Sequence, residues 1–255
     1  MATHTDPGTV KATGTAFDII ETLAREDGGR VTEIASELGF AKSTVHRHLA
    51  TLEELEYVVK EDGEYRISFR FLKLGERTRK RTETYQMARD KVDKIADQTD
   101  ERAQFVIEEH GKAVYVFGAT GEHAVHTNSE IGKYRPLQSM AAGKAILAFL
   151  PEARVEEIID RHGLPALTEN TITDEDELYA ELEEIRKRGY SINNQETIPG
   201  LRAIGVPIEC PDGGVFGAFS VSGPTHRVRG ERLEELIPNI LLGTANELEL
   251  DMKYS

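Results

Sequence analysis

Residues 31–52, VTEIASELGFAKSTVHRHLATL, carry two short runs of helical apolar spacing separated by a glycine. In the first run Ile34, Ala35 and Leu38 share one face, and Thr32 stands where an N-terminal cap belongs. Gly39 is free to take the left-handed conformation that ends a helix without a Cβ penalty. Beyond it, Ser43 or Thr44 is placed to cap a second helix that buries Val45, Leu49 and Leu52. Upstream, Ala16, Phe17, Ile20 and Leu23 fall on one face of a further helix. Downstream, residues 57–60 and 65–67 read as two short strands around Glu61-Asp62-Gly63-Glu64, a glycine-containing turn. Three helices followed by a β-hairpin predict a winged helix-turn-helix. An ordinary helical hairpin with a solvated polar face accounts for residues 31–52 alone, but not for their flanks.

That order gives the polar face of the second helix a task. Lys42, Ser43, Thr44, His46 and Arg47 lie away from its buried positions and are the expected groove-facing residues. Lys60 and Arg66 in the hairpin, with Arg70 after it, are expected on backbone phosphates. The basic run at 77–81 reads either as a solvated helix start or as further phosphate contacts.

From Gly75 to about Asp97 the chain is charged and free of proline, while Tyr85, Ala88, Val92, Ile95 and Ala96 recur at helical spacing. One long linker helix with a narrow apolar stripe is expected. Residues 103–118 then read as a hairpin turning at 108–112. Helices follow over 139–150, 152–161 and 174–188, strands over 190–195, 203–208 and 215–222, and a last helix over 231–250. Strands and helices mix without regular βαβ alternation, so the class is α+β on an antiparallel sheet. The expected division is a disordered lead (1–11), the winged helix-turn-helix (12–74), a linker helix (75–98) and a second domain (99–255).

At 255 residues the chain suits one large or two modest domains. Its formal net charge of −14 argues against a nucleic-acid partner until the distribution is read. Residues 1–81 hold 13 basic and 14 acidic side chains, and residues 40–81 hold 10 and 7, so the acidity lies in the second domain. With 12 Lys against 19 Arg and no Trp, the acidic surplus suggests a proteome adapted to high salt, such as that of a halophilic archaeon. Cys210 is the single cysteine, which leaves no internal disulfide and no cysteine-based zinc site. The most apolar run, 141–150, is too short to span a membrane, and no apolar segment of signal length opens the chain. A cytoplasmic protein is expected.

Chemistry is sparse. Gly143-Lys144 invites a P-loop reading that fails, because Gln138 stands where a glycine is needed and Ala145 where a hydroxyl residue is. His123 and His126 could pair on a metal but have no third ligand nearby. The carboxylates read as solvated helix faces, with no acid in an apolar context to suggest a tuned pKa. Neither a catalytic constellation nor a cofactor is expected. A binding cavity is better supported. Small residues over 139–143 would expose backbone N–H groups at a helix start, which favours an anion. Ser220 and Ser222 share one face of a strand. If that face is buried, both hydroxyls need partners, either a polar ligand or nearby backbone.

TEIASELGFAKSTVHRHLATLEELEYV, PLQSMAAGKAILAFLP, RGYSINNQETIPGLRAIGVPI and GAFSVSGPTHR are collinear. Together they make residues 12–248 resemble the IclR family of transcriptional regulators. The resemblance implies a winged helix-turn-helix, a linker helix and a GAF-like effector domain. It also implies a homodimer or dimer of dimers on a partly palindromic double-stranded operator, responding to a small organic acid, aromatic acid or sugar-derived metabolite of a catabolic operon. By similarity, the effector pocket would fall on Ala141, Ala142, Asn193, Leu201, Ala203, Ser220 and Ser222. Asn193 stands where members commonly carry Asp, Ala203 where many carry Cys, and His48 where a larger apolar residue is more usual. Two rivals remain from other classes: an enzyme that uses the helix-turn-helix for targeting, and a protein-interaction module.

Overall fold

The computed structural model describes residues 8–125 and 130–254. The chain forms two compact units that divide between Arg81 and Thr82. Residues 1–7 of the expected lead, and His126 of the expected histidine pair, lie outside the described residues.

The first unit comprises α1 (Lys11–Arg25), α2 (Val31–Leu38), α3 (Lys42–Glu54), β1 (Val58–Glu61), β2 (Glu64–Ile67) and α4 (Arg70–Arg79). Its core is Ile19, Leu23, Ile34, Ala35, Val45, Leu49, Leu52, Val58 and Tyr65. Gly39 ends α2 at φ 70°, as its position requires. In the hairpin Glu61 pairs with Glu64, so Asp62 and Gly63 form a two-residue loop, both at positive φ (51° and 85°). That turn matches the right-handed twist of the strands and fixes their register.

Three local expectations are corrected. On α1 the fully buried positions are Ile19, Thr22 and Leu23, whereas Phe17 is 55% exposed. Phe17 and Ile19 stand two residues apart, about 200° around the helix, so they cannot share the core face. Thr32 does not cap α2. The helix starts at Val31, and Glu33 reaches back to accept from the Arg30 N–H at 2.7 Å. Nor do Ser43 or Thr44 cap α3, since Ala41 takes that position and makes no side-chain bond.

The second unit contains α5 (Glu83–Thr99), β3 (Arg102–Glu109), β4 (Lys112–Thr120), β5 (Tyr134–Pro136), α6 (Ala141–Phe149), α7 (Glu152–His162), α8 (Glu175–Arg188), β6 (Ser191–Asn194), β7 (Leu201–Glu209), β8 (Val215–Pro224) and α9 (Ile237–Tyr254). The strands form one antiparallel sheet in the order β5-β4-β3-β8-β7-β6. Alternation along the strands sends Phe105, Ile204, Val206, Phe219 and Val221 to one face, under α5 and α9. The other face meets α6, α7 and α8 through residues such as Tyr115, Val106 and Ala218. The class is therefore α+β, with helices on both faces of an antiparallel sheet.

The single helix expected over 75–98 is two helices. α4 ends at Arg79, and α5 begins after Thr82, whose hydroxyl accepts from the Tyr85 N–H. The apolar stripe Tyr85, Ala88, Val92, Ile95 and Ala96 is buried in the core of the second unit. α5 thus belongs to that domain instead of standing apart as a linker.

Candidate functional site

The exposed face of α3 carries Lys42, Ser43, His46 and Arg47, while Thr44 and His48 are half-buried. Burial of Val45, Leu49 and Leu52 against α1 and α2 fixes that orientation. Among the described residues nothing pairs with the side chains of Lys42, His46 or Arg47. They are available to a partner. The wing differs. Arg66 lies 3.8 Å from Asp27 and 3.7 Å from Glu64, and the Lys60 ammonium sits over the Tyr65 ring at 5.1 Å. Arg70 pairs with Glu56 at 2.7 Å and stacks on Tyr57 at 5.0 Å. These are exposed ion pairs, each of about 0–1 kcal/mol, so a phosphate could replace the carboxylate at little cost. Arg30, which sequence reasoning passed over, joins this surface by donating to the Asp62 carbonyl at 3.3 Å.

In the second unit one cavity of about 40 Å³ is lined by all seven residues that the resemblance singled out: Ala141, Ala142, Asn193, Leu201, Ala203, Ser220 and Ser222. They converge from four elements because α6 starts directly over β7. A Cβ on Gly205 would stand 2.5 Å from the Ala141 carbonyl carbon, so only glycine permits that approach. Gln104, Tyr115, Arg135 and Thr197 also line the cavity and carried no signal of their own in the sequence.

The two serine hydroxyls already have a protein partner. The Gln104 amide lies 3.0 Å from Ser220 Oγ and 3.1 Å from Ser222 Oγ. In the orientation that satisfies its neighbours, its nitrogen donates to Ser220 and its oxygen accepts from Ser222 and from Arg102 Nε at 3.3 Å. Asn193 is equally committed. Its Nδ2 donates to the Ser139 carbonyl (2.5 Å) and to Thr197 Oγ1 (2.9 Å), and its Oδ1 accepts from the Glu196 N–H (3.0 Å). Thr197 Oγ1 also donates to the Ser139 carbonyl at 2.5 Å. Asn193 thereby ties the turn before α6 to the loop after β6. An Asp could not make both donations, which gives this departure from the family pattern a structural reason. The lining holds hydroxyls, amides and the Arg135 guanidinium, with no carboxylate, beside the N-terminus of α6. Such a set suits a small anion. The space admits about three waters, so any larger ligand requires the lining to yield.

Next to the cavity lies a buried ion pair that the sequence did not reveal. Lys144 is 1% exposed and Glu196 6%. Lys144 Nζ stands 2.8 Å from Glu196 Oε1 and 3.7 Å from Glu181. Burial pushes the Glu196 carboxyl above its ordinary pKa, with Lys144 opposing, and Glu196 Oε2 has no partner among the described residues. The expectation that no acid sits in an apolar context is corrected accordingly. Its partner lies 52 residues away in the chain, beyond any local pattern. His123 pairs with Asp100, and no group of three or more metal-ligating side chains occurs among the described residues.

Residues 15–62 match the IclR helix-turn-helix domain, and residues 77–249 match the bacterial transcriptional regulator IclR C-terminal domain. The regulator ArcR of Halobacterium salinarum is 32% identical over 99% of this chain and 97% of its own length. The transcriptional regulator KdgR of Escherichia coli is 30% identical over 97% and 95%. Among solved structures, the Thermotoga maritima IclR superposes with a TM-score of 0.80 at 30% identity, covering 95% of this chain and 98% of that one. An IclR homologue of Microbacterium hydrocarbonoxydans, complexed with 4-hydroxybenzoate, shares the fold with a TM-score of 0.82 at 20% identity, covering 96% and 100%. With the helix-turn-helix in the first unit and the C-terminal domain in the second, the chain belongs to the IclR family of transcriptional regulators.

Proposed function

We propose that α3 reads an operator in the major groove and that a small acid in the sheet cavity controls this binding. Lys42, Ser43, Thr44, His46 and Arg47 face the groove; Lys60, Arg66 and Arg70 neutralise phosphates. Ala141, Ala142, Asn193, Leu201, Ala203, Ser220 and Ser222 frame the effector. The observation that carries the reading is the cavity lining, which pairs hydroxyls and a guanidinium with no carboxylate in a chain of net charge −14. A homologue crystallised with 4-hydroxybenzoate supports an aromatic or other organic acid as the ligand class. The protein is taken to be cytoplasmic and to regulate a catabolic operon without catalysing a reaction. No described helix is long and apolar enough to cross a membrane.

The test is a gel shift on the DNA upstream of the protein's own coding sequence, with unrelated competitor and a panel of small carboxylates. Retardation that survives competitor and responds to one acid supports the reading. An interaction module predicts no selective retardation, and an enzyme that uses the helix-turn-helix for targeting predicts retardation that no acid alters.

The surface of α4 supports assembly. None of its residues is buried, and Phe69 (90% exposed) and Leu72 (61%) present apolar surface. A second copy would cover them, and two recognition helices fit two half-sites a helical turn apart on a partly palindromic site. Wild type is expected to sediment as a dimer or dimer of dimers at micromolar concentration, and Leu72→Glu to shift it toward monomer. A monomeric wild type that still binds one half-site tightly would remove the proposal.

Salt provides an independent prediction. Near 1 M the Debye length is about 3 Å, so an acidic second domain hardly repels DNA, and counterion release contributes little. Three side chains, Lys60, Arg66 and Arg70, are assigned to phosphates, a small number, and two of them exchange an internal carboxylate for the phosphate. Operator affinity is expected to fall shallowly with salt and to remain measurable near about 1 M. Complete loss by a few tenths molar, with the protein still folded, would mark an ordinary low-salt regulator.

A further inference from the structure

A second cavity, of about 310 Å³, opens where α7 and the residues after it cover the β3–β4 hairpin and β5. Its floor and walls are Leu137, Leu147, Ile158, Ile159, Leu164 and Leu178. Its polar side chains are Lys112, Tyr134, Arg135, Gln138 and His162, and no acidic residue lines it. In a chain with 45 acidic side chains, that bias is chemically selective. Carboxylates on the neighbouring hairpin are already engaged. Glu108 accepts from the Gly111 N–H (2.7 Å) and from Arg154 (2.8 Å), and Glu109 accepts from the Tyr134 hydroxyl (2.6 Å). The Lys112 ammonium, in contrast, has no partner among the described residues.

The polar edge is built. His162 Nε2 donates to the His110 carbonyl at 2.8 Å, and a Cβ on Gly111 (φ 79°) would come within 2.6 Å of that nitrogen. Bare backbone at Gly111 is therefore what lets the imidazole close over the hairpin. Gln138 is anchored to the Pro165 carbonyl at 3.2 Å. A partly open cleft of this volume with apolar walls and a few polar groups at one side is the usual make-up of a small-molecule site.

We propose that this cavity is a second ligand site, separate from the sheet cavity, that takes a monocarboxylic acid with an apolar body of about one ring, its carboxylate toward Lys112 and Arg135. The two cavities share a wall. Arg135 lines both, and the turn Leu137–Ser139 runs from one to the start of α6 in the other. Occupancy of either site is therefore felt at the other, and by linkage the effect is reciprocal. The coupling, though not the site, rests on reading the sheet cavity as the effector site.

Sodium benzoate is titrated into the full-length protein with 13C-methyl-labelled Ile and Leu, with uncharged benzyl alcohol in parallel. Saturable shifts are expected at the Ile158, Ile159 and Leu164 methyls, with benzyl alcohol binding at least about tenfold more weakly. Leu164→Trp, which fills the half-exposed side of the cavity, and Lys112→Glu, on the surface, should each weaken benzoate by about tenfold or more while the protein remains folded. Movement confined to Ile198 and Leu201 would place the acid in the sheet cavity alone and overturn the second site. No saturable movement at Ile158 and Ile159, or a benzoate affinity untouched by both variants, would overturn it equally. Failure of the sheet-cavity reading would show separately, as still Ile198 and Leu201 signals with every acid tested.

Discussion

Lys144→Met is expected to lower folding stability by about 3–5 kcal/mol, a large part of the ~5–15 kcal/mol that holds a domain of this kind together. Methionine keeps the length and apolar stem of lysine, so packing changes little. What is lost is, among the described residues, the one cation paired with Glu196, whose carboxylate is buried beside it at 2.8 Å. Glu181, at 3.7 Å from the same ammonium, is more exposed and loses less. Glu196 must then either stay charged in a low-dielectric site or take up a proton, the direction in which burial already pushes it. The second substitution isolates this cause. In Lys144→Met/Glu196→Gln the buried charge is gone, while the amide oxygen still accepts from the Asn194 N–H that Glu196 Oε1 now receives at 3.1 Å. The double variant should recover at least about half of the loss, because removing both members of a buried pair is far milder than removing one. Urea denaturation of the wild type and both variants measures this. A single variant within about 1 kcal/mol of wild type would mean that the pair is not a buried charged contact.

Gly143→Ala should destabilise by about 2 kcal/mol or more. The usual expectation has the opposite sign, since alanine within a helix is about 1 kcal/mol better than glycine. Here the added Cβ would stand 2.1 Å from the Leu137 carbonyl oxygen and 2.7 Å from the Leu137 Cα. Both obstacles are backbone, so no rotamer change relieves them. Either α6 lifts or the Leu137–Ser139 turn moves, and that turn holds the wall shared by the two cavities. Thermal melting decides the sign. A melting temperature at or above that of wild type would show that α6 and the turn are not packed as described.

These two residues also mark where the sequence ceased to be informative. The helix-turn-helix was legible because its signals are local. Gly39 sits at the turn, Val45, Leu49 and Leu52 recur at helical spacing, and Asp62-Gly63 suits a two-residue hairpin. The break between α4 and α5 has no glycine or proline to announce it. It depends on the Thr82 hydroxyl capping a helix whose stripe is claimed by a distant sheet. In the second domain, the small and hydroxylated positions of the cavity stood out through family resemblance, and they do converge on one space. Their partners did not stand out. Gln104 reaches Ser220 and Ser222 only because β3 pairs with β8, more than a hundred residues further along the chain. Lys144 was visible only as half of a failed phosphate motif, since Glu196 comes to it through the fold.

Arg47 tests the central claim most directly. Affinity is measured by fluorescence anisotropy for wild type and Arg47→Ala, on the operator and on duplexes with each base pair changed in turn. The account predicts a loss of about 1–3 kcal/mol on the operator, with preference flattened at one position of each half-site. Unchanged affinity and unchanged preference on every duplex would contradict the placement of α3 in the major groove.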